Sequence, residues 1–499
     1  MKVILAGMNV PVKVLEHLSG EDRERATPEV LSAAYARISR SEKDVDALLD
    51  ESMQDVSKAR ASNEAIVYGM GHHSVADHAM FNFNISGVSR LLVESIERRR
   101  LAGYTEKSQR YVTLDGDYVR PGEFDSEDAG KFDDLVKLQN DFYLRAGPKV
   151  FEFLKKKFSD QLKSRTKGEL LKELEGSARE DARYSLCLAT QAQLGCSYTG
   201  QTAELAIREL RYGRLREERE FAKLLYDAIV EKAPSIIQLA DPDLFRQHNP
   251  GQELQDDNFK YTAENLRELV GRTFGASAAG GGGPGEDVIL VSHNDPDRQI
   301  ITALLHCYSN RPMGDCLAKA DALLEKGEAA DFMRKSLKHV GKFDKVPRAF
   351  EAGFLVYELI VSASCFAQLK RHRMNTLLAQ DYDPELGYTI PQTIEESALA
   401  PELRDVCNRS TELYHDFKTR YGKAAEYCLT NAHRRRVVLA TNMRQLYHIS
   451  RTREDKSAQW DIRDKAGKMA ILARKVAPVT SILLGGQHEF DRIYERVMR

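Results

Sequence analysis

No stretch of this 499-residue chain approaches the roughly 18 apolar residues that a membrane-spanning helix requires. Nor is a secretory leader expected: Met1-Lys2-Val3-Ile4-Leu5 reads directly as a strand-like run, so a cytoplasmic location is expected, with no membrane partner. Cysteine is sparse. Its seven copies (Cys187, Cys196, Cys307, Cys316, Cys365, Cys407, Cys428) are widely spread and form no CxxC pair, which argues against a disulfide scaffold or a structural zinc site. Nor is there an excess of one charge. With 73 Lys and Arg against 75 Asp and Glu, the formal net charge of -2 argues against a general polyanion binder, and no nucleic-acid partner is expected. What the chain does have is 42% hydrophobic residues, enough for a real core, and a length that suits two or three domains.

The strongest punctuation is Ala278-Ala279-Gly280-Gly281-Gly282-Gly283-Pro284-Gly285. Four glycines followed by Pro-Gly carry a high ordering cost and read as a linker. A phosphate-binding loop is the weaker rival, because the G-x-x-x-x-G-K-[ST] pattern is absent and Glu286-Asp287 would repel phosphate. After the linker the chain begins again. "EDVILVSHNDPD" repeats the character of "MKVILAGMNVPV", and "SCFAQLKRHRMNTLL" repeats "RLLVESIERRRLAGY", each reading as an amphipathic helix with arginines from Arg98 or Arg371. "DARYSLCLAT" and "AAEYCLTNAH" follow in the same order, which points to internal duplication. The expected organisation is a first α+β domain over 1–275, a linker over 276–286 and a second domain over 287–499. Short strands are expected at Val3 to Leu5, Met80 to Ile85 and Val288 to Val291. Phe153 to Gly176 reads as a charged hairpin or long helix with a solvated lysine face.

Several polar clusters stand out. Gly71-His72-His73-Ser74-Val75-Ala76-Asp77-His78 lacks the spacing of a zinc motif, and Ser74 would suit a helix N-cap as well as a ligand contact. Glu106-Lys107-Ser108-Gln109-Arg110-Tyr111 offers a hydroxyl and a guanidinium fork to a phosphate monoester; an ordinary surface ion-pair network fits it equally. In the second half Gln368 and Arg371 are spaced to share a helix face, with His372 beside it. Asn442 and Arg444 fall just before or at a helix start, where an anion or ring carbonyl is favoured, and His448, Arg451 and Arg453 follow; a solvated basic face is the other reading. No Ser-His-Asp elbow and no activated cysteine appears.

The run "GHHSVADHAMFNFNISGVSRLLVESIERRRLAGYTEKSQRYV", together with "CFAQLKRHRMNT" and "NMRQLYHISRTREDKSAQWDIR", resembles the flavin-dependent thymidylate synthases, the ThyX family, with its motif R-H-R-x-x-S-x-N-E-x-S-x-R-Y. The resemblance covers most of both halves. It implies two tandem ThyX-like domains and FAD as cofactor. NADPH and methylenetetrahydrofolate would be cosubstrates in converting dUMP to dTMP. The family's homotetramer implies a homodimer of this double-length chain.

Residue by residue, the two copies are damaged in different places. The first has Arg98-Arg99-Arg100 for R-H-R and Ser95 where the nucleotide-binding Gln belongs, yet keeps Glu106, Ser108, Arg110 and Tyr111. The second keeps Gln368, Arg371, His372 and Arg373, with Ala379, Asp381 and Asp383 at the Glu, Ser and Arg positions. Glu180 and Arg183 survive in the first copy against Lys423 and Glu426. Asn442, Arg444 and Arg453 survive in the second against roughly Thr199, Gln201 and Leu210. By the resemblance, dUMP contacts are expected from Glu106, Ser108, Arg110, Arg183, Gln368, Arg371 and Arg453, with Arg453, Glu106 and Ser108 closest to catalysis. FAD contacts are expected from His72, Ser74, Asp77, Arg371, His372, Arg373, Asn442, Arg444 and His448. His72, Ser74 and Asp77 have no clean match around Asp344 to Glu351. The losses are complementary, so one composite kind of site could survive. The rival expectation is a non-catalytic or diverged paralogue that binds flavin or a pyrimidine nucleotide.

Overall fold

Strict alternation builds the first sheet. Phe81, Phe83 and Ile85 turn inward and are buried, while Asn82 and Asn84 face out, as a strand with one covered face requires. The computed structural model describes residues 1–11, 27–38, 41–109, 114, 116–163, 167–275 and 285–499. The glycine run, Arg110 and Tyr111 lie outside the described residues.

Each half carries one antiparallel four-stranded sheet. In the first, β1 (Lys2–Met8), β2 (Met80–Ser89), β3 (Ala102–Glu106) and β4 (Gln191–Thr199) lie in the order β1-β2-β4-β3. In the second, β5 (Val288–His293), β6 (Phe354–Ser362), β7 (Thr376–Ala379) and β8 (Arg434–Asn442) repeat it as β5-β6-β8-β7. The two halves are therefore α+β copies of one plan. The match includes detail: Ser89 and Ser362 close their strands and cap the helices Arg90–Ile96 and Ala363–Leu369, each hydroxyl accepting an N–H at 2.9 Å. Both helices are buried through Leu91, Leu92 and Ile96, or Cys365, Phe366 and Leu369.

β2 is one residue longer than β6 because it bulges at Gly87, whose φ of 70° suits glycine. That extra residue shifts the alignment of everything before it.

The compact units are not the sequence halves. One unit comprises 1–141, 186–281 and 409–429, and holds the first sheet. The other comprises 142–185, 282–408 and 430–499, and holds the second. Each unit thus takes a segment from the opposite half. The long helices Ser126–Lys157 and Ala400–Tyr421 are the elements along which the chain passes from one unit to the other. The lysine-rich stretch is the end of the first of these helices followed by the helix Lys167–Ala182, and so is not one long helix.

Candidate functional site

The unit built on the second sheet gathers most of the surviving second-copy residues. Its helix Ala363–Leu369 stops at Lys370, so Gln368 lies on the helix and Arg371 does not. The shared helical face expected for that pair is therefore incorrect: the helix closes one turn early because the chain must turn into β7. His372 N–H bonds back to Leu369 O, and Asn375 Nδ2 donates to His372 O, which fixes the turn. The turn buries His372, leaves Arg373 half-buried and exposes Arg371.

The helix Met443–Arg453 supplies the facing side. Asn442 caps it, its Oδ1 accepting Gln445 N–H at 2.9 Å, as expected at a helix start. Arg444 is held internally: its Nη1 pairs with Glu351 Oε1 at 2.9 Å and its Nε donates to Val346 O at 3.1 Å. Arg453 Nε donates to His372 Nε2 at 2.8 Å, and its Nη2 reaches Gln368 O at 3.3 Å. The rings of His372 and His448 meet edge to face with centroids 5.5 Å apart. Burial holds His372 well below the usual imidazole range, with Arg453 and His448 adding to the effect. His448 is lowered by burial, then by Lys345 and Arg453. Both imidazoles are thus neutral near pH 7 beside a concentration of guanidinium and ammonium charge, an environment that favours an anionic ligand.

A segment of the first half completes this unit. Arg183 and Glu180 are buried with side chains 3.9 Å apart, and Asn431 Nδ2 donates to Arg183 O at 3.0 Å. Ser364 N–H on the short helix donates to Asn431 O at 3.0 Å. Tyr184 stacks on Trp460, with centroids 5.7 Å apart and planes inclined by 19°. Trp460 Nε1 and Thr393 Oγ1 both donate to Asp181, at 2.8 and 2.6 Å, and burial raises that carboxyl to about 6. Gln368 Nε2 donates to Gln459 Oε1 at 3.1 Å, and Gln459 Nε2 donates to the Tyr184 hydroxyl at 2.7 Å. Gln368 Oε1 is buried with no hydrogen-bond partner among the described residues.

The other unit holds Glu106, at the end of β3, and Ser108. Also there are His72 and Ser74, both exposed, and Asp77, which accepts the Thr199 hydroxyl at 2.7 Å. Ser74 is no helix cap: residues His73–His78 form a 3-10 turn preceded by His72, with no side-chain cap. The first-copy counterparts of the anion-binding set are tied off. Arg98 and Arg99 both pair with Glu209, at 3.1 and 3.0 Å, and Ser95 donates to Glu218 at 2.6 Å. The second-copy substitutions are likewise at work in the fold. Asp383 accepts Glu385 N–H at 3.0 Å to cap a 3-10 turn, and Lys423 pairs with buried Glu426 at 2.6 Å.

Sheet register settles alignments that the sequence leaves open. Met80 pairs with Thr199 as Phe354 pairs with Asn442, so Thr199 matches Asn442 and, stepping along the helices, Gln201 matches Arg444 and Leu210 matches Arg453. Three residues before each strand stand Asp77 and Glu351. Glu351 is thus the acidic counterpart that sequence comparison missed, masked by the Gly87 bulge. Tyr184, Gln459, Asp181 and Ser364 were also missed. The signal for Asp181 and Tyr184 is the sequence repetition around "DARYSLCLAT", which does not say where that segment docks, whereas Ser364 and Gln459 fall inside the quoted second-copy motifs.

The family model described as Thymidylate synthase complementing protein matches residues 23–235 and again residues 289–479. A UPF0159 protein of Thermoplasma acidophilum is 24% identical over 451 residues, covering 82% of this chain and 85% of its own. A flavin-dependent thymidylate synthase of Clostridium tetani is 27% identical over 246 residues, which is 49% of this chain but 91% of that protein. A UPF0159 protein of Chlamydia muridarum is 23% identical over 416 residues, covering 79% of this chain and 76% of its own. The C. tetani synthase thus corresponds in length to about half of this chain, whereas the UPF0159 relatives align along most of it.

Proposed function

The chain belongs to the thymidylate synthase complementing protein family, and from that premise we propose that it is a flavin-dependent thymidylate synthase converting dUMP to dTMP. Methylenetetrahydrofolate is the one-carbon donor and NADPH the reductant in this reading. The observation that carries it lies in the second-sheet unit: His372 and His448, both shifted toward the neutral form, meet the Arg453 guanidinium, which also reaches the Gln368 backbone carbonyl. Those groups suit a phosphorylated ligand with a polar ring. FAD, when bound, supplies the redox chemistry that reduces the transferred carbon unit.

The chain's own residues have distinct tasks. Arg371, His372, Arg373, Asn442, Arg444 and His448 would hold the flavin nucleotide, and His72, Ser74 and Asp77 are proposed for it from the first copy. Arg183, Gln368, Arg371 and Arg453 would hold dUMP, with Glu106, Ser108 and Arg110 contributed by the other motif set. Arg453 is oriented by its bond to His372 Nε2, which needs the neutral imidazole as acceptor. A guanidinium fixed in this way can stabilise charge developing on the uracil ring without reorganising. No enzyme nucleophile is required of the chain.

Two chains would assemble as a homodimer, sedimenting at about twice 56.4 kDa. No helix among the described residues is long and apolar enough to cross a membrane. The deciding assay supplies dUMP, methylenetetrahydrofolate, NADPH and FAD and measures dTMP. Product formation abolished by Arg453→Ala supports the synthase. Saturable FAD and dUMP binding without dTMP supports the second reading, a non-catalytic or diverged paralogue, which the Glu209-paired arginines of the first copy favour.

A further inference from the structure

The Gln368 carboxamide has a donor arm and an acceptor arm, and they meet opposite fates. Its Nε2 donates to Gln459 Oε1, while its Oε1 is buried and unpartnered among the described residues. The cause lies at the far end of a chain of bonds. Asp461 Oδ2 accepts two hydroxyls, Ser362 at 2.5 Å and Tyr184 at 3.0 Å. A carboxylate has no proton to give, so Tyr184 is committed as a donor there. Burial and the Asp461 charge hold its phenol protonated, pushing it well above its ordinary range.

Only the Tyr184 oxygen lone pairs remain for Gln459, whose Nε2 fills one of them at 2.7 Å. That turns Gln459 Oε1 toward Gln368, and only the Gln368 amide nitrogen can meet it favourably. Rotating the Gln368 amide would set two oxygens against each other at 3.1 Å. The Gln368 oxygen is thus left over by necessity. A buried acceptor without a partner is destabilising, and a ligand that brings a donor relieves it. A phosphate monoester above its second pKa of about 6 is a dianion that only accepts, whereas an N–H of the base donates.

We propose, resting on the reading of this site as one for dUMP, that Tyr184 is a positioning residue. Through Gln459 it fixes the Gln368 amide with its oxygen toward the ligand, and the site thereby selects a base bearing an imide N–H. The group addressed is uracil N3–H. The selector sits on the second copy, and the residue that sets its polarity comes from the first.

The test measures binding of dUMP, N3-methyl-dUMP and 2′,3′-dideoxy-UMP by calorimetry, using the full chain with FAD. Wild-type protein, Tyr184→Phe, Gln459→Leu and Gln368→Ala are compared. N3-methylation should weaken wild-type binding roughly tenfold or more, the worth of one buried hydrogen bond. The same methylation should cost markedly less in each variant, and loss of the 3′-hydroxyl should cost the same in all four proteins. A general loss of stability would weaken all three ligands together and would leave the methylation ratio unmoved. A methylation penalty unchanged in both Tyr184→Phe and Gln459→Leu would overturn the proposal. So would variants that altered the 3′-hydroxyl penalty instead. Wild-type protein that bound no dUMP would sink the nucleotide reading itself, an outcome distinct from dUMP bound without control by Tyr184.

Discussion

Tyr184 donates its hydroxyl to Asp461 over 3.0 Å, across 277 residues of chain. The pseudo-symmetric bond joins Tyr427 to Glu217 at 2.7 Å, with the roles of the halves exchanged. In both, the acid also accepts the serine that caps the short helix, Ser362 or Ser89. Each unit therefore takes a buried tyrosine from the opposite half. Residues 1–275 and 287–499, expressed separately, are each expected to lack a stable core, because a segment of each unit is then missing. Mixed or coexpressed, they should associate and regain cooperative melting. Independent two-state unfolding of either piece, followed by circular dichroism, would count against this.

Arg453→Ala should remove the group that bonds His372 and faces the proposed base. Loss of a charged hydrogen bond to dUMP is worth about 1.5–3 kcal/mol, or roughly 10- to 150-fold in affinity. Turnover should fall below detection while FAD still binds. A Kd for dUMP unchanged within twofold would remove Arg453 from the nucleotide site.

One arginine from each copy's R-H-R-like stretch should respond in opposite ways. Arg99 is buried against Glu209, so Arg99→Ala should cost about 1–2 kcal/mol of stability yet leave dUMP and FAD affinity within about twofold. Arg371→Ala, at an exposed position, should leave the melting temperature nearly unchanged and weaken ligand binding. Paired thermal melts and titrations would reveal a reversal of that pattern.

Two buried groups set opposing pH dependences. Burial raises Glu204 from 4.5 to about 7, so its contribution is full below pH 4.5 and is lost as pH rises through 7. Burial lowers His433 from 6.5 to about 3, so its contribution is full above pH 6.5 and is lost as pH falls through 3. Between pH 4.5 and 6.5 each acts at about 1.4 kcal/mol per pH unit, and their effects cancel. Glu204→Gln should break the balance, so that the variant's melting temperature climbs with pH relative to that of the wild type across that window. Parallel curves for variant and wild type would contradict the assignment to Glu204.

The copied plan was legible because it is local. Alternation in Met80 to Ile85 and the repeat of short strand and helix in each half act through neighbours in sequence. The early end of the helix at Leu369 was not legible. "SCFAQLKRHRMNTLL" has helical character throughout, and only pairing of β7 with β8 pulls its last residues into a strand. Glu351 escaped because one bulge residue at Gly87 displaces the alignment without leaving a gap that composition would betray. The docking of Tyr184 and Arg183 beside second-copy residues depends on which of two sheets of the same plan the segment meets. Periodicity carries no information about that choice.

The exchanged segments also set an order on synthesis. The unit that holds the first sheet is incomplete until Arg409–Leu429 has been made, although the rest of that unit is finished by residue 281. At about 10 residues per second, the ribosome needs roughly 15 seconds to cover that interval. During it, the surface that will bury Tyr427 has no occupant, so the nascent chain must wait with apolar surface uncovered. Completion of either unit therefore waits for late-made chain, residues 409–429 for one and 430–499 for the other, and such long-range pairing favours slow folding.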